Sequence, residues 1–246
     1  MFGLGFRLGA RARRRFSPRV LFANGEQGVW FDPSDLATMF QDVAATIPAV
    51  VGAAVARIDD KSGRGNHAGQ PTAAARPVLR QDAGGRYYLE FDGTDDRLVT
   101  AGFALAQPWE RVSAIRQVSW ASGRRIFTSG NGALAGLLYQ NPASPQLCLF
   151  DGFAAGANGG AAVGAAAVVT ERHNGAASQL AVNGGAAVAG NAGGTAASGI
   201  SIGADPGGTN PAAFHFYGLC LVRAGLSEAQ IAALRSHFAA KAGVAP

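Results

Sequence analysis

Residues Asp59 to Asp96 read DDKSGRGNHAGQPTAAARPVLRQDAGGRYYLEFDGTDD, the most informative stretch of the sequence about the fold. Three clusters of turn-forming residues, 61–66, 83–85 and 92–96, divide it. Gly and Asn accept positive φ, and Asp and Ser bond to their own backbone, so such clusters end strands and reverse the chain. The stretch therefore predicts an ordered loop, a strand and an acidic turn, in that order.

The strand is the run RYYLEF, which lies between the second and third clusters. Tyr87, Leu89 and Phe91 fall on one face, and Tyr88 and Glu90 fall on the other. A period of two is typical of a half-buried strand. Further strand candidates, each bounded by turn signals, are 29–31, 50–58, 97–100, 111–120, 124–128, 136–139, 146–150, 163–170, 179–182, 199–202 and 214–222.

Many short strands separated by turns predict a sandwich or barrel rather than an α/β fold. The 35 glycines in 246 residues agree with a turn-rich chain. No GxGxxG or Walker-type motif occurs in the sequence, which argues against nucleotide binding. Apolar runs are shorter than the roughly 20 residues of a transmembrane helix, so no membrane span is predicted. Cys148 and Cys220 are predicted to be buried thiols rather than a disulfide framework.

Two helices are predicted. Ser34 is placed to cap a short helix through Phe40. Near the end of the chain, Ser227 and Gln230 form a capping box. Leu226 is expected to pack on Ile231 as a hydrophobic staple; the helix presents an apolar stripe and ends at a glycine. The stripe consists of Ile231, Leu234 and Phe238, and the glycine is Gly243.

Four segments resemble one family. The pattern DKSGxGNHA…RP…FDGxDD, the segment GEQGVWFDPSDLATMFQD, the hairpin TERHNGAASQLAVNGG and the closing HFYGLCLVRAG with its helix are similar to laminin-G-like, concanavalin A-like jelly rolls of tailed-phage structural proteins. The resemblance implies an all-β sandwich of two antiparallel sheets over residues 20–246, with a short helix in the N-terminal region and a C-terminal helix. It also implies a virion protein made in the cytoplasm of the host bacterium.

The positive charge is concentrated in residues 1–19. Six of the 21 basic residues lie there without an acid, so the remaining 15 basic and 16 acidic residues leave the body at −1. Docking of this arm on other virion proteins is favoured over a solvated basic tail, and both are favoured over nucleic-acid binding, for which no module is present. The docking candidates are Phe2, Leu4, Phe6, Arg7, Leu8, Arg11, Arg13, Arg14 and Arg15.

The acidic residues suggest two kinds of chemistry. Glu90 and Asp92 share a strand face, but Gly93 follows before the second Glu of a glycosidase-type motif, so the chain is predicted not to be an enzyme. Glu90 is instead expected to pair with an arginine such as Arg86 or Arg97. Asp92, Asp95 and Asp96 are weak Ca²⁺ candidates, and a plain Asx turn without a cofactor is favoured. Asp32 and Asp35 have the same two interpretations, ligand or turn, and the turn is favoured.

The four histidines, His67, His173, His215 and His237, lack zinc-site spacing, and His67 is expected to bond to local backbone. Trp109, Trp120 and Tyr139 are sugar-stacking candidates, although large aromatics are mostly core. The favoured function is a lectin-like tail-fibre, baseplate or spike component that binds host-surface glycan as a homo-oligomer. A decoration protein without glycan binding is the alternative, and a polysaccharide-degrading enzyme ranks last.

Overall fold

A computed structural model describes residues 16–152 and 160–245, which form a sandwich of two large antiparallel sheets. The strands of the described residues are β1 (Gly28–Phe31), β2 (Met39–Phe40), β3 (Arg57–Ile58), β4 (Ala68–Gly69), β5 (Val78–Gln81), β6 (Tyr87–Asp92), β7 (Leu98–Thr100), β8 (Ala104–Leu105), β9 (Trp109–Gln117), β10 (Arg125–Thr128), β11 (Leu137–Gln140), β12 (Leu147–Phe150), β13 (Ala166–His173), β14 (Ser178–Val182), β15 (Val188–Gly190), β16 (Ala197–Ser198), β17 (Ser201–Ile202) and β18 (Ala213–Val222). A helix, α1 (Glu228–Ala242), and short 3-10 turns at Pro18–Phe22, Leu36–Thr38, Ala73–Ala75 and Gly175–Ala177 complete the elements.

The first sheet has the order β15-β14-β13-β9-β18-β6-β5, and β1 continues the β6 side of β18. The second sheet has the order β12-β11-β10-β17-β7-β4-β3-β2, and β16 pairs with β8 apart from both. This architecture confirms the predicted all-β jelly-roll sandwich.

The core between the sheets is aromatic at its centre. Phe91 of β6 stacks on Phe214 of β18 with ring centroids 4.8 Å apart. Phe127 of the second sheet meets Phe214 and Phe216 edge-on at 6.4 Å and 6.1 Å. Leu89 and Phe91 are both buried here, so the predicted alternation along β6 is confirmed.

A second core lies on the outer face of the first sheet, under α1. Ile231, Leu234 and Phe238 are buried there against the sheet residues Val112 and Val168, as the predicted stripe requires. The N-terminal capping box forms between Ser227 and Gln230, and Leu226 joins the same cluster as Ile231. The helix ends at Gly243, whose φ of 68° is left-handed, as predicted.

Asp60 orders the loop at the start of residues 59–96. Its buried carboxylate accepts hydrogen bonds from the backbone N–H groups of Trp30, Ser62 and Asn66 at 2.9, 2.8 and 3.1 Å. The Asn66 side chain donates to the carbonyl of Gly28 at 2.8 Å. Asp60 and Asn66 thus bond β1 to this loop, so these residues of the motif have a structural role.

Two elements predicted from the sequence differ from those in the structure. The helix expected from Ser34 to Phe40 is a single 3-10 turn followed by strand, because the Ser34 hydroxyl donates to Asp32 at 2.6 Å instead of capping. The strand expected over 50–58 is confined to Arg57–Ile58. Val50 and Val51, in the turn before it, are exposed because they pack on neither core.

Cys148 lies on β12 of the second sheet and Cys220 on β18 of the first. Both are buried, as predicted, and they form no disulfide with each other. Within the two described ranges, no helix has the length and apolar character to cross a bilayer.

Candidate functional site

The acidic turn brings Asp92, Asp95 and Asp96 together, with one carboxylate oxygen of each within 4.8 Å of the others. The backbone N–H of Thr94 donates to Asp92 at 2.7 Å, which is the predicted Asx turn. The N–H of Asp92 donates to Asp96 at 3.0 Å, and burial raises the pKa of Asp96 to about 6. These bonds account for the geometry of the turn, and the preference for a turn over a Ca²⁺ site stays a prediction.

The sequence suggested that Glu90 pairs with Arg86 or Arg97, but in the structure it pairs with neither. Its carboxylate accepts from Arg80 of the neighbouring strand β5 at 2.5 Å, because that arginine lies across the β5–β6 ladder. Arg86 pairs with Asp82 at 2.7 Å, and Arg97 donates to the carbonyl of Pro206 at 2.9 Å. The Arg80 and Glu90 side chains are 46% and 36% exposed, so this pair contributes little to stability.

Asp32 forms the predicted turn and also an ion-pair cluster. It accepts from the backbone N–H and the hydroxyl of Ser34 and from the ammonium groups of Lys61 and Lys241, at 3.2 and 3.0 Å. Burial opposes ionisation, but the Ser34 bond and the two lysines lower the pKa of Asp32 below its usual value. Lys61 also pairs with Asp35 at 2.6 Å. The cluster ties β1 to α1.

A fully buried polar network lies between the sheets, and the sequence analysis did not identify it. We call it the inter-sheet network; it comprises Arg111, Asp151, Glu171 and His173, and each has at most about one per cent of its side chain exposed. Arg111 binds Glu171 through two hydrogen bonds of 2.8 and 2.5 Å. His173 lies 2.5 Å from Asp151 and 3.4 Å from Glu171.

Pairing within the inter-sheet network shifts the pKa values of His173 and Glu171 toward their charged forms. Burial alone would lower the pKa of His173, but the carboxylates of Asp151 and Glu171 raise it. Burial likewise opposes ionisation of Glu171, but Arg111 and His173 lower its pKa. Trp109 stacks on the His173 ring at 3.6 Å, and the Arg111 guanidinium lies 4.4 Å from the Phe127 ring centroid. Arg111 and Glu171 thereby form an ion pair inside the core.

An exposed pocket lies on the outer face of the second sheet. It has a volume of about 130 Å³ and is lined by Arg125, Leu134, Leu137, Tyr139 and Phe150, and we call it the aromatic pocket. Tyr139 is opposite Arg125 on β10, and Leu137 is opposite Phe150 on β12, so the four side chains share one face.

Its geometry suits a small ring with one apolar face. Tyr139 and Phe150 meet edge-to-face at 6.4 Å, and the Arg125 guanidinium lies 5.0 Å from the Tyr139 centroid. Asp205 lies 3.6 Å from the Nε of Arg125, longer than a hydrogen bond, and this Nε is buried without a hydrogen-bond partner among the described residues. Burial and the Cys148 thiol raise the pKa of Tyr139 to about 12, which keeps its hydroxyl protonated.

The inter-sheet network holds the ends of the two strands that form the aromatic pocket. Arg111 donates to the carbonyl of Gly136 at 3.2 Å, and the N–H of Gly136 donates to Asp151 at 2.5 Å. Gly136 immediately precedes Leu137, and Asp151 immediately follows Phe150. Arg111 of the first sheet and Asp151 of the second therefore both hold Gly136, at the start of the strand that carries Leu137 and Tyr139.

The other sequence candidates have structural roles or lie elsewhere. Trp109 is buried in the core, and the Trp120 indole donates to the carbonyl of Gln146 at 3.0 Å. His67 accepts from the backbone N–H of Asp60 at 3.1 Å, as expected. The docking candidates of the basic arm, Phe2 to Arg15, lie outside the described residues.

Comparisons with known proteins show the fold. No protein-family model matches the sequence, and no match was found among curated proteins. The Trypanosoma rangeli sialidase is similar over 86% of this chain and 32% of its own, with 12% identity and a TM-score of 0.56. Domain 4 of AbnA, a GH43 extracellular arabinanase from Geobacillus stearothermophilus in complex with arabinotriose, is similar over 72% of this chain and 92% of its own, with 10% identity and a TM-score of 0.54.

A third similar structure concerns botulinum neurotoxin type C, whose cell entry depends on interaction with two ganglioside molecules. It covers 87% of this chain and 51% of its own, with 12% identity and a TM-score of 0.56. The chain thus spans about a third of the sialidase and half of the toxin chain. At these identities the likeness shows a β-sandwich fold that occurs in glycan-related proteins; none of the three is a phage protein.

The sequence-based prediction that the chain is not an enzyme is wrong. It rested on the missing second Glu after Gly93, yet the similar structures are a sialidase and a domain of an arabinanase, both glycoside hydrolases. One strand motif therefore does not define the chemistry associated with this fold.

Proposed function

We propose that this chain is a glycan-binding domain that holds its ligand in the aromatic pocket. The observation that carries the proposal is the position of Tyr139 and Phe150: two half-buried aromatic rings on an outward sheet face, with Arg125 beside them. A sugar ring has an apolar C–H face and polar hydroxyl edges. An aromatic surface flanked by a guanidinium complements both.

The rigidity of the pocket supports the same proposal. Leu138 and Leu149, the neighbours that point inward from the same two strands, are buried in the inter-sheet core. The inter-sheet network fixes the strand ends at Gly136 and Asp151. A preformed surface loses little conformational entropy when it binds a ligand.

We further propose that the domain belongs to a tailed-phage virion, as a tail-fibre, baseplate or spike component that binds host-surface glycan. The support is the family resemblance of residues 59–96 and of the chain's closing segment. Attachment to other virion proteins is assigned to residues 1–19, where the basic residues concentrate. Homo-oligomerisation belongs to the same proposal.

A glycan array tests the binding proposal. The purified chain is expected to retain a restricted set of glycans, and Tyr139→Ala and Phe150→Ala are expected to lose them. Tyr88→Ala is the matched control, because Tyr88 is a half-buried tyrosine on the outer face of the other sheet, stacked on His215 at 4.1 Å. Equal retention by all four proteins, or no retention by any, would contradict the proposal. Either result would favour the alternative of a decoration protein without glycan binding.

A further inference from the structure

A second pocket lies on the opposite side of the sandwich, where the first sheet meets the start of α1. It has a volume of about 70 Å³, and we call it the Glu110 pocket. Its polar lining residues are Glu110, Thr170, Arg172, Gln179, Glu228 and Arg235. Strand pairing places Glu110 beside Arg172 and Arg172 beside Gln179, so the three form one row across β9, β13 and β14.

Glu110 is buried but only half satisfied. Its side chain is 1% exposed. One oxygen, Oε1, accepts from Arg172 at 2.8 Å and from the backbone N–H of Leu226 at 3.2 Å. The other, Oε2, is buried and has no hydrogen-bond partner among the described residues. A buried carboxylate oxygen without a donor is costly, so the site favours a molecule that supplies one.

The opposite side of the pocket supplies donors. Arg235 uses its Nε for the Thr170 hydroxyl at 3.0 Å, and its side chain is half-buried at the pocket's edge. Glu110 and Glu228 balance Arg172 and Arg235 in formal charge, so the lining favours a neutral ligand over an ion. The ligand has to donate to a carboxylate and accept from a guanidinium. A hydroxyl group does both.

We propose that the Glu110 pocket binds two adjacent hydroxyl groups of a neutral sugar, one donating to Glu110 and the other accepting from Arg235. The pocket is much smaller than the roughly 300–1,000 Å³ of sites that enclose a whole ligand. It therefore admits one edge of a ring. The ligand class rests on the proposed function, but the site is separate from the aromatic pocket and lies on the other sheet.

Nuclear magnetic resonance of the full ¹⁵N-labelled chain tests the site. The probes are glucose, galactose, mannose and arabinose, together with 1,2-cyclohexanediol and its single-hydroxyl analogue cyclohexanol. Saturable shifts are expected for the Leu226 amide, the Gln179 side-chain amide and the Arg235 Nε–H with the diol and at least one sugar. Cyclohexanol is expected to cause smaller shifts than the diol, because it supplies only one of the two hydroxyl groups that the proposed ligand places in the pocket.

Glu110→Gln is expected to lower the affinity obtained from these shifts by at least about tenfold. The reason is that an amide nitrogen cannot accept a hydrogen bond from the ligand's hydroxyl. Glu90→Gln is the matched control, because it makes the same chemical change to a carboxylate that also pairs with an arginine but does not line the pocket, and it is expected to bind normally. If Glu110→Gln does not fold, Arg235→Gln gives the same readout from the pocket's edge.

The outcomes separate this inference from the proposed function. Shifts confined to the surroundings of Tyr139 and Phe150 would leave the proposed function standing and overturn the Glu110 pocket. Shifts at Leu226 and Gln179 that survive unchanged in Glu110→Gln would also overturn it. An absence of saturable shifts with every probe would likewise overturn the Glu110 pocket.

Discussion

Replacing Glu171 with Gln tests whether the inter-sheet network stabilises the fold as the structure indicates. The carboxylate of Glu171 is fully buried and binds Arg111 through two hydrogen bonds, and it also lies near His173. Gln keeps the shape and one acceptor but removes the negative charge. Arg111, with 1% of its side chain exposed, is then left with an uncompensated buried charge.

Removing one partner of a buried ion pair costs about 3–5 kcal/mol. A domain typically has a free energy of unfolding of about 5–15 kcal/mol, so Glu171→Gln is expected to remove a large part of it. Glu90→Gln is the matched control. It makes the same chemical change to a carboxylate that also pairs with an arginine, Arg80, but both side chains are more than a third exposed. Its expected cost is below about 1 kcal/mol.

Urea denaturation, followed by circular dichroism at pH 7, measures both variants against the wild type. A loss near the predicted size for Glu171→Gln, with an unchanged slope against urea, supports the reasoning. A loss below about 1 kcal/mol, or one equal to that of Glu90→Gln, would refute it. That result would mean that the network is hydrated in solution or that Arg111 finds another partner.

Three further predictions address the acidic turn and the arm. Asp96 has a pKa of about 6 in the fold against an ordinary 3.8, so its stabilising contribution is present below pH 3.8 and is lost as the pH rises through 6. Asp96→Asn should therefore gain stability over the wild type between pH 4 and 7, by at most about 3 kcal/mol, in melts across that range; a constant difference would contradict the assignment. Excess chelator should leave the melting temperature unchanged if the turn of Asp92, Asp95 and Asp96 holds no Ca²⁺, and a drop of several degrees would reverse that view. A chain that begins at Phe16 should melt like the full chain but fail to join particles, because Phe16 and Pro18 already pack on the body, and aggregation of that chain would show that the arm belongs to the core.

Local signals in the sequence predicted much of the fold. The alternation around Leu89 predicted β6, and Ser227 with Gln230 predicted the start of α1, because both depend on residues close in the chain. The helix expected from Ser34 failed because the Ser34 hydroxyl bonds back to Asp32, a choice that intrinsic propensity does not decide.

The inter-sheet network was missed because its members are distant in sequence. Arg111 and Glu171 are 60 residues apart, and pairing of β9 with β13 brings them opposite one another. A signal was present: Arg111 alternates with Trp109 and Ile115, so it occupies an inward position. A charged residue on the apolar face of a strand predicts a buried partner of opposite charge. The aromatic pocket needed the sheet order as well, because Tyr139 and Phe150 meet only once β11 and β12 pair.

Isothermal titration with the tightest-binding array glycan tests the proposal that Tyr139 and Phe150 bind glycan. The titration compares the wild-type chain with Tyr139→Ala, Phe150→Ala and the control Tyr88→Ala, each shown by circular dichroism to be folded. Each pocket variant removes an aromatic ring that we propose contacts the sugar, so each is expected to bind about tenfold more weakly, which corresponds to about 1.4 kcal/mol. Tyr88→Ala is expected to match the wild type. Unchanged affinity in both pocket variants, or a loss in Tyr88→Ala alone, would contradict the account.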